Sequence, residues 1–133
     1  MRFDFDLTVT AATTQSAPAQ LETRLVRGTL KRIEIFFPPG CASWVMAIIR
    51  DGLHQIAPAN PGGSFNADGA TVGFDMNYKL EASAHLLMCE CWSPLCRYNH
   101  VITFRFDVKP IGESDNSALV DYLAEMLLIG EED

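Results

Sequence analysis

The sequence predicts an all-β domain, an antiparallel β-sandwich or jelly roll of about eight strands, followed by a C-terminal α-helix. Three observations support this fold class. Apolar and polar residues alternate with a period of two in several short segments. Turn residues recur at intervals of about ten residues. No helix-length segment lies between the strands, which argues against a parallel α/β sheet. The pattern changes near Pro110, so we expect the β domain to span residues 1–110 and a helix with an acidic tail to span residues 111–133.

The first three strands are predicted from alternation and from the turns that separate them. Residues 3–9 place an apolar side chain at every second position, and residues 11–20 are rich in Ala, Thr and Ser and predict a loop. Two strands follow, at residues 21–26 and 29–37, on either side of Arg27-Gly28. In the second of these, one face is predicted to carry Lys31, Ile33, Ile35 and Phe37.

The remaining strands follow from apolar runs and tight turns. Residues 44–49 form a continuous apolar run of strand length, which predicts burial on both faces and places Trp44 in the core. The Asp51-Gly52 pair is typical of a tight hairpin turn, with its partner strand at residues 53–56. Further strands are predicted at residues 71–74, 78–80, 85–92 and 100–108.

The C-terminal segment has the spacing of an amphipathic helix over residues 114–129. Its apolar residues recur at i, i+3, i+4, i+7 and i+8, which places them on one face. That stripe consists of Leu119, Tyr122, Leu123, Met126 and Leu127. We expect this stripe to be a partner-docking surface. It would pack either on its own β domain or on a neighbouring chain, and the sequence leaves both alternatives open.

Charge is segregated along the chain, which carries a formal net charge of -7. Residues 111–133 contain seven acidic residues and no Lys or Arg, which leaves ten acids and ten bases in the body. A phosphate backbone demands the opposite sign, so no direct nucleic-acid partner is expected. No apolar run approaches the ~20 residues that span a bilayer, and the acidic N-terminal residues are unlike a signal peptide, so no membrane association is expected.

No catalytic, metal or cofactor site is expected from the chemistry-bearing residues. Cys89, Cys91 and Cys96 lie between His85 and His100, a set that could hold zinc. However, Cys89 and Cys91 occupy alternate positions of a predicted strand, which indicates buried thiols behaving as small apolar residues. Nothing in the spacing selects a Cys–His nucleophile pair, so the chain is not expected to be an enzyme.

Two further features leave alternatives open. Trp44 and Trp92 could stack on a carbohydrate ligand, although core packing is the commoner outcome for such large side chains. The basic residues Arg24, Arg27 and Lys31, together with Arg32, could receive the acidic tail of a neighbouring copy, although pairing within the chain or with solvent is the commoner outcome.

Turn and strand motifs run through residues 28–110. They read Phe36-Phe37-Pro38-Pro39-Gly40-Cys41, then Asp51-Gly52-x-His54-Gln55-Ile56-x-Pro58-x-Asn60-Pro61-Gly62-Gly63, then Asn99-His100-Val101-Ile102-Thr103-Phe104-Arg105-Phe106. Together they resemble small β-sandwich structural proteins from the virions of tailed bacteriophages. The resemblance implies a β fold and a place in the virion, and it implies no catalytic residues.

The resemblance implies a capsid decoration (cement) protein, made in the host cytoplasm and carried in the virion. Its partners would be the major capsid protein and copies of itself, as a homotrimer. Two alternatives remain: another phage structural component of the head–tail or baseplate, or a carbohydrate- or surface-binding β-sandwich module.

Overall fold

The structure is a computed structural model that describes residues 1–111. This part of the chain forms one antiparallel sheet of six strands, in the order β1-β6-β2-β5-β3-β4. The strands are β1 (Arg2–Val9), β2 (Ala19–Phe37), β3 (Met46–Asp51), β4 (His54–Ala57), β5 (Ala70–Trp92) and β6 (His100–Pro110). The predicted all-β class is confirmed, whereas the two-sheet arrangement of a sandwich or jelly roll stays a prediction.

Two strands are much longer than the sequence predicts. β2 runs for 19 residues through Gly28, where two strands were expected, and β5 runs for 23 residues in place of three short strands. The prediction of about eight strands is therefore wrong for residues 1–111. β2 continues through Gly28 because this residue pairs with Leu80 of β5 and Pro110 of β6. A glycine fits the close approach to β6, since a Cβ at Gly28 would lie 2.2 Å from the Lys109 carbonyl oxygen.

β2 and β5 hold the sheet together because they pair with each other along most of their length and each has a second neighbour over part of it. The C-terminal part of β2 pairs with β6, and the C-terminal part of β5 pairs with β3. The sheet thus has two four-stranded halves that share β2 and β5. One core cluster takes side chains from both halves, including Leu7 and Val9 of β1 and Ala47 and Ile49 of β3.

A β-bulge changes which face of β2 is buried. The register of β2 with both neighbours shifts between Leu30 and Arg32. As a result Ile33 is fully buried while Lys31 is exposed, so the predicted common face of Lys31 with Ile33, Ile35 and Phe37 is wrong. A bulge adds one residue to one strand of a pair, and this reverses the alternation beyond it.

The strands with the clearest alternation behave as predicted. Within β6, Ile102, Phe104, Phe106 and Val108 point into the core, and each is at most 2% exposed. Full burial of one such side chain stabilises the fold by about 1.5–3 kcal/mol.

Among the residues that the structure describes, no helix has the length and hydropathy needed to cross a membrane.

Candidate functional site

Exposed aromatic and basic side chains cluster at one end of the sheet. This aromatic end consists of Trp44, Leu95, Arg97 and Tyr98, of which Trp44 is 48%, Leu95 65% and Tyr98 75% exposed. The residues come from two loops, 38–45 and 93–99. Because Met46 pairs with Trp92, the first loop enters β3 beside the point where the second leaves β5.

Trp44 is held outward by a strained and hydrogen-bonded loop. The two residues before it, Ala42 and Ser43, have φ angles of 49° and 61°. These left-handed conformations cost about 1–3 kcal/mol each in residues other than glycine, and they persist only where the surroundings enforce them. Asp68 Oδ1 supplies that restraint by accepting hydrogen bonds from the N–H groups of Gly40 (2.9 Å) and Ala42 (3.1 Å). The prediction that Trp44 lies in the core strand is therefore wrong: β3 begins only at Met46.

Hydrogen bonds to residues 10–13 hold the second loop, residues 93–99, in place. The buried Ser93 donates its N–H to the Thr13 carbonyl at 2.9 Å. Cys96 donates its N–H to the Ser93 carbonyl and accepts a hydrogen bond from the Ala12 N–H, both at 3.1 Å. The exposed side chains of Leu95 and its neighbours therefore project from a backbone that is already ordered.

Buried thiols lie under the aromatic end and behave as apolar residues. Burial, reinforced by the neighbouring Cys96, raises the pKa of Cys41 to about 11. Burial also raises the pKa of Cys89 to about 12 and that of Cys91 well above its usual range. All four cysteines are free and buried, as predicted for Cys89 and Cys91. Within residues 1–111, no three His, Cys, Asp or Glu side chains converge on a position where a metal ion could bind.

The composition of the aromatic end is that of a protein-binding hot spot. Trp, Tyr and Arg are the residues that most often dominate binding energy at protein interfaces. Arg97 forms no ion pair with any described residue and so remains available to a partner. An ordered backbone lowers the entropy cost of binding. Leu95, Arg97 and Tyr98 could not be identified from the sequence, where the one signal is the presence of apolar residues in a predicted loop.

A polar cluster links the β3–β4 turn to β5. Asp51 Oδ2 accepts a hydrogen bond from the Tyr78 hydroxyl at 2.5 Å and lies 2.9 Å from His85 Nε2. Burial and the Asp51 carboxylate raise the pKa of Tyr78 to about 12. His85 Nδ1 is enclosed by protein and has no hydrogen-bond partner in the described part of the chain. The hydrogen bonds to Asp51 thus connect the end of β3 to β5.

A second polar group ties three strands together. Glu90 of β5 is only 6% exposed, and its Oε2 accepts hydrogen bonds from Arg50 of β3 and Gln20 of β2, both at 2.6 Å. Buried charges are tolerated when they are paired in this way. The Arg50 Nε has no partner within residues 1–111 and is also buried. Neither polar cluster was foreseen, because their members lie 27 to 70 positions apart in sequence.

The structure describes only some of the candidate residues that the sequence predicts, and it separates the two tryptophans by burial. The expected docking stripe, Leu119, Tyr122, Leu123, Met126 and Leu127, lies outside the described residues, as does the rest of the predicted helix. Of the two tryptophans, Trp92 is buried as core packing predicts, and only Trp44 is exposed. The aromatic end is therefore the candidate site that residues 1–111 offer.

Comparison with known proteins gives only distant similarity. The sequence matches no protein family and no curated protein. Among solved structures, a de novo designed double-stranded β-helix aligns with 79% of this chain and 99% of its own at 14% identity and a TM-score of 0.37. The coat protein of Tobacco streak virus aligns with 86% of this chain and 89% of its own, at 11% identity and a TM-score of 0.35. A pilus protein of Bacillus endospore appendages aligns with 82% and 88%, at 11% identity and a TM-score of 0.31.

Two of these three neighbours are structural proteins, a virus coat protein and a pilus protein. TM-scores this low give no basis for transferring a function from any of them. The bacteriophage resemblance of the sequence therefore stays a prediction.

Proposed function

We propose that this chain is a virion structural protein that decorates a capsid shell and stabilises it through protein–protein contacts. The observation that carries the proposal is the aromatic end, in which Trp44, Arg97 and Tyr98 project from ordered loops. The sequence resemblance to small virion proteins supplies the setting. A protein that strengthens a shell needs a docking surface and a stable body.

The aromatic end has a suitable size for the central part of such a contact. A buried Trp or Tyr removes about 150–250 Å² from solvent. Because Trp44 is 48% and Tyr98 75% exposed, together they would supply roughly a third of the ~800 Å² that each partner buries in a standard interface. The surrounding loop residues would form the polar rim.

The proposal is tested in virions purified from an infection in which this chain is made. Capsids and tails are separated, and each fraction is analysed by mass spectrometry. We expect the chain in the capsid fraction at a fixed ratio to the major capsid protein. Recovery from the tail fraction would replace decoration by the head–tail or baseplate alternative, and absence from both fractions would overturn a virion role.

Exposure of Trp44 also favours a second function, a carbohydrate- or surface-binding module. An exposed aromatic side chain can stack on a sugar ring, and Trp44 is 48% exposed. This alternative predicts that tryptophan fluorescence changes on titration with an oligosaccharide of the host surface, and that Trp44→Ala abolishes the change. A chain that binds capsids and gives no response to oligosaccharides would exclude it.

A further inference from the structure

A groove beside the middle of β2 (Ala19–Phe37) lies at the place where the chain leaves the described residues. Its volume is about 290 Å³, and its lining includes Arg27, Gly28, Lys79 and Ile111. Ile111 is anchored there by its N–H, which donates to the Arg27 carbonyl at 3.0 Å. We call this site the basic groove. Ile111, the last residue that the structure describes, therefore forms part of the wall of this groove.

Positive charge lines the groove and continues along the same face of the sheet. Thr29 pairs with Lys79 on one side and with Lys109 on the other, so these side chains share a face. Arg27 and Lys79 form no ion pair within residues 1–111. Glu81 is the one acidic residue among those that line the groove. Arg27 and Lys79 thus give the groove an excess of positive charge over Glu81.

The chain that follows carries the opposite charge. Residues 112–133 contain seven acidic residues and no Lys or Arg. Glu113 and Asp115 follow Ile111 closely, and an extended chain of ~3.5 Å per residue carries them at most about 7 and 14 Å from it. Arg27 and Lys79 line the same groove as Ile111.

We propose that the acidic tail, residues 112–133, docks in cis on the basic groove of its own chain. Tethering at Ile111 gives the first carboxylates an effective concentration in the millimolar range or above, which favours the chain's own tail over that of another copy. The contact is electrostatic and lies at the surface, so salt weakens it over a Debye length of about 8–10 Å.

The test uses the full chain, labelled with ¹⁵N and carrying a nitroxide at Ala124→Cys. This position preserves every acidic residue, and the four native thiols are buried. We expect the amide signals of Gly28, Thr29 and Lys79 to lose more than half of their intensity. The loss should be reversed by 0.5 M NaCl and by the variant Arg27→Glu/Lys79→Glu. The matched control is Arg97→Glu, which changes an exposed base at the aromatic end and should leave the loss intact.

Two results would overturn the proposal. One is broadening that is the same in the Arg27→Glu/Lys79→Glu variant and in the control. The other is broadening that appears when nitroxide-labelled chain is mixed with ¹⁵N-labelled chain that carries no nitroxide, which would show docking on a second copy. The amide spectrum reports folding in the same sample, so a variant that has lost its structure is recognised directly.

Discussion

The Ala42 N–H donates a 3.1 Å hydrogen bond to Asp68 Oδ1, and this bond fixes the loop that presents Trp44. The same oxygen accepts the Gly40 N–H. We therefore expect Asp68→Ala to make the Gly40 and Ala42 amides exchange with solvent at least tenfold faster, which corresponds to about 1.4 kcal/mol. Asp68→Asn is the control, because its amide oxygen still accepts both bonds. Equal exchange rates in the two variants would contradict this role.

Acid stability should depend on Asp51. Burial alone would raise the pKa of Asp51, but hydrogen bonds from Tyr78 and His85 outweigh it and lower the pKa. A lowered pKa in the folded state means that the carboxylate stabilises the fold above its unfolded pKa of about 3.9, and that this contribution is lost as the pH falls through the lower folded value.

Asp51→Asn should thus lose about 1–3 kcal/mol at pH 7. The difference from the unmodified protein should persist down to about pH 5 and shrink below pH 4. Urea unfolding at a series of pH values measures it. Glu22→Gln, which removes an exposed carboxylate with no ion pair within residues 1–111, should follow the unmodified protein throughout. A difference that grows as the pH falls would show that the sign is wrong.

The buried carboxylate of Glu90 should be costly to remove. Glu90→Ala leaves the Arg50 guanidinium without its 2.6 Å partner and should cost about 3 kcal/mol. The double variant Arg50→Ala/Glu90→Ala should cost less than the sum of the two single changes, by about 1–3 kcal/mol, because the stranded charge is then gone. Chemical unfolding of all four proteins gives this coupling. Strict additivity would mean that the two side chains act independently.

Gly28 should tolerate an added side chain far less well than Gly52. A methyl group at Gly28 would lie 2.2 Å from the Lys109 carbonyl oxygen and 2.8 Å from the Pro110 Cα. Both are backbone atoms, which cannot move away by a side-chain rotation. We expect Gly28→Ala to cost about 3 kcal/mol or more, at the upper end for overpacking. At Gly52, with φ of 62° and nothing within 4 Å of the added carbon, alanine should cost only about 1 kcal/mol. Equal melting temperatures for the two variants would contradict the close approach of β2 and β6.

Alternation predicted the simple strands because each has one buried and one solvated face. β1 and β6 begin and end within two residues of the predicted positions. The continuity of the two long strands, β2 and β5, could not be predicted from alternation. The Arg27-Gly28 pair predicts a break between two strands, yet β2 continues through Gly28 because it has cross-strand partners on both sides. In β5, residues 81–84 are all exposed and show no alternation, although the strand continues through them.

The candidate site was harder to predict than the fold. The apolar run at residues 44–49 does not reveal where the strand begins, and Ala42 and Ser43 have no intrinsic preference for the left-handed conformation that turns Trp44 outward. That conformation depends on Asp68, a residue 26 positions away in sequence. Sequence spacing carries no information about such a contact.

The most direct test of a docking role for the aromatic end is the affinity of the purified chain for capsid shells that lack it. Trp44→Ala and Tyr98→Ala should each weaken binding by at least thirtyfold, the ~2 kcal/mol of a hot-spot residue. The matched control is Leu53→Ala, which truncates an apolar side chain that is 96% exposed at the far end of β3 and should leave the affinity unchanged. If Leu53→Ala weakens binding as much as Trp44→Ala does, or if neither aromatic substitution weakens it, the aromatic end is not the docking surface.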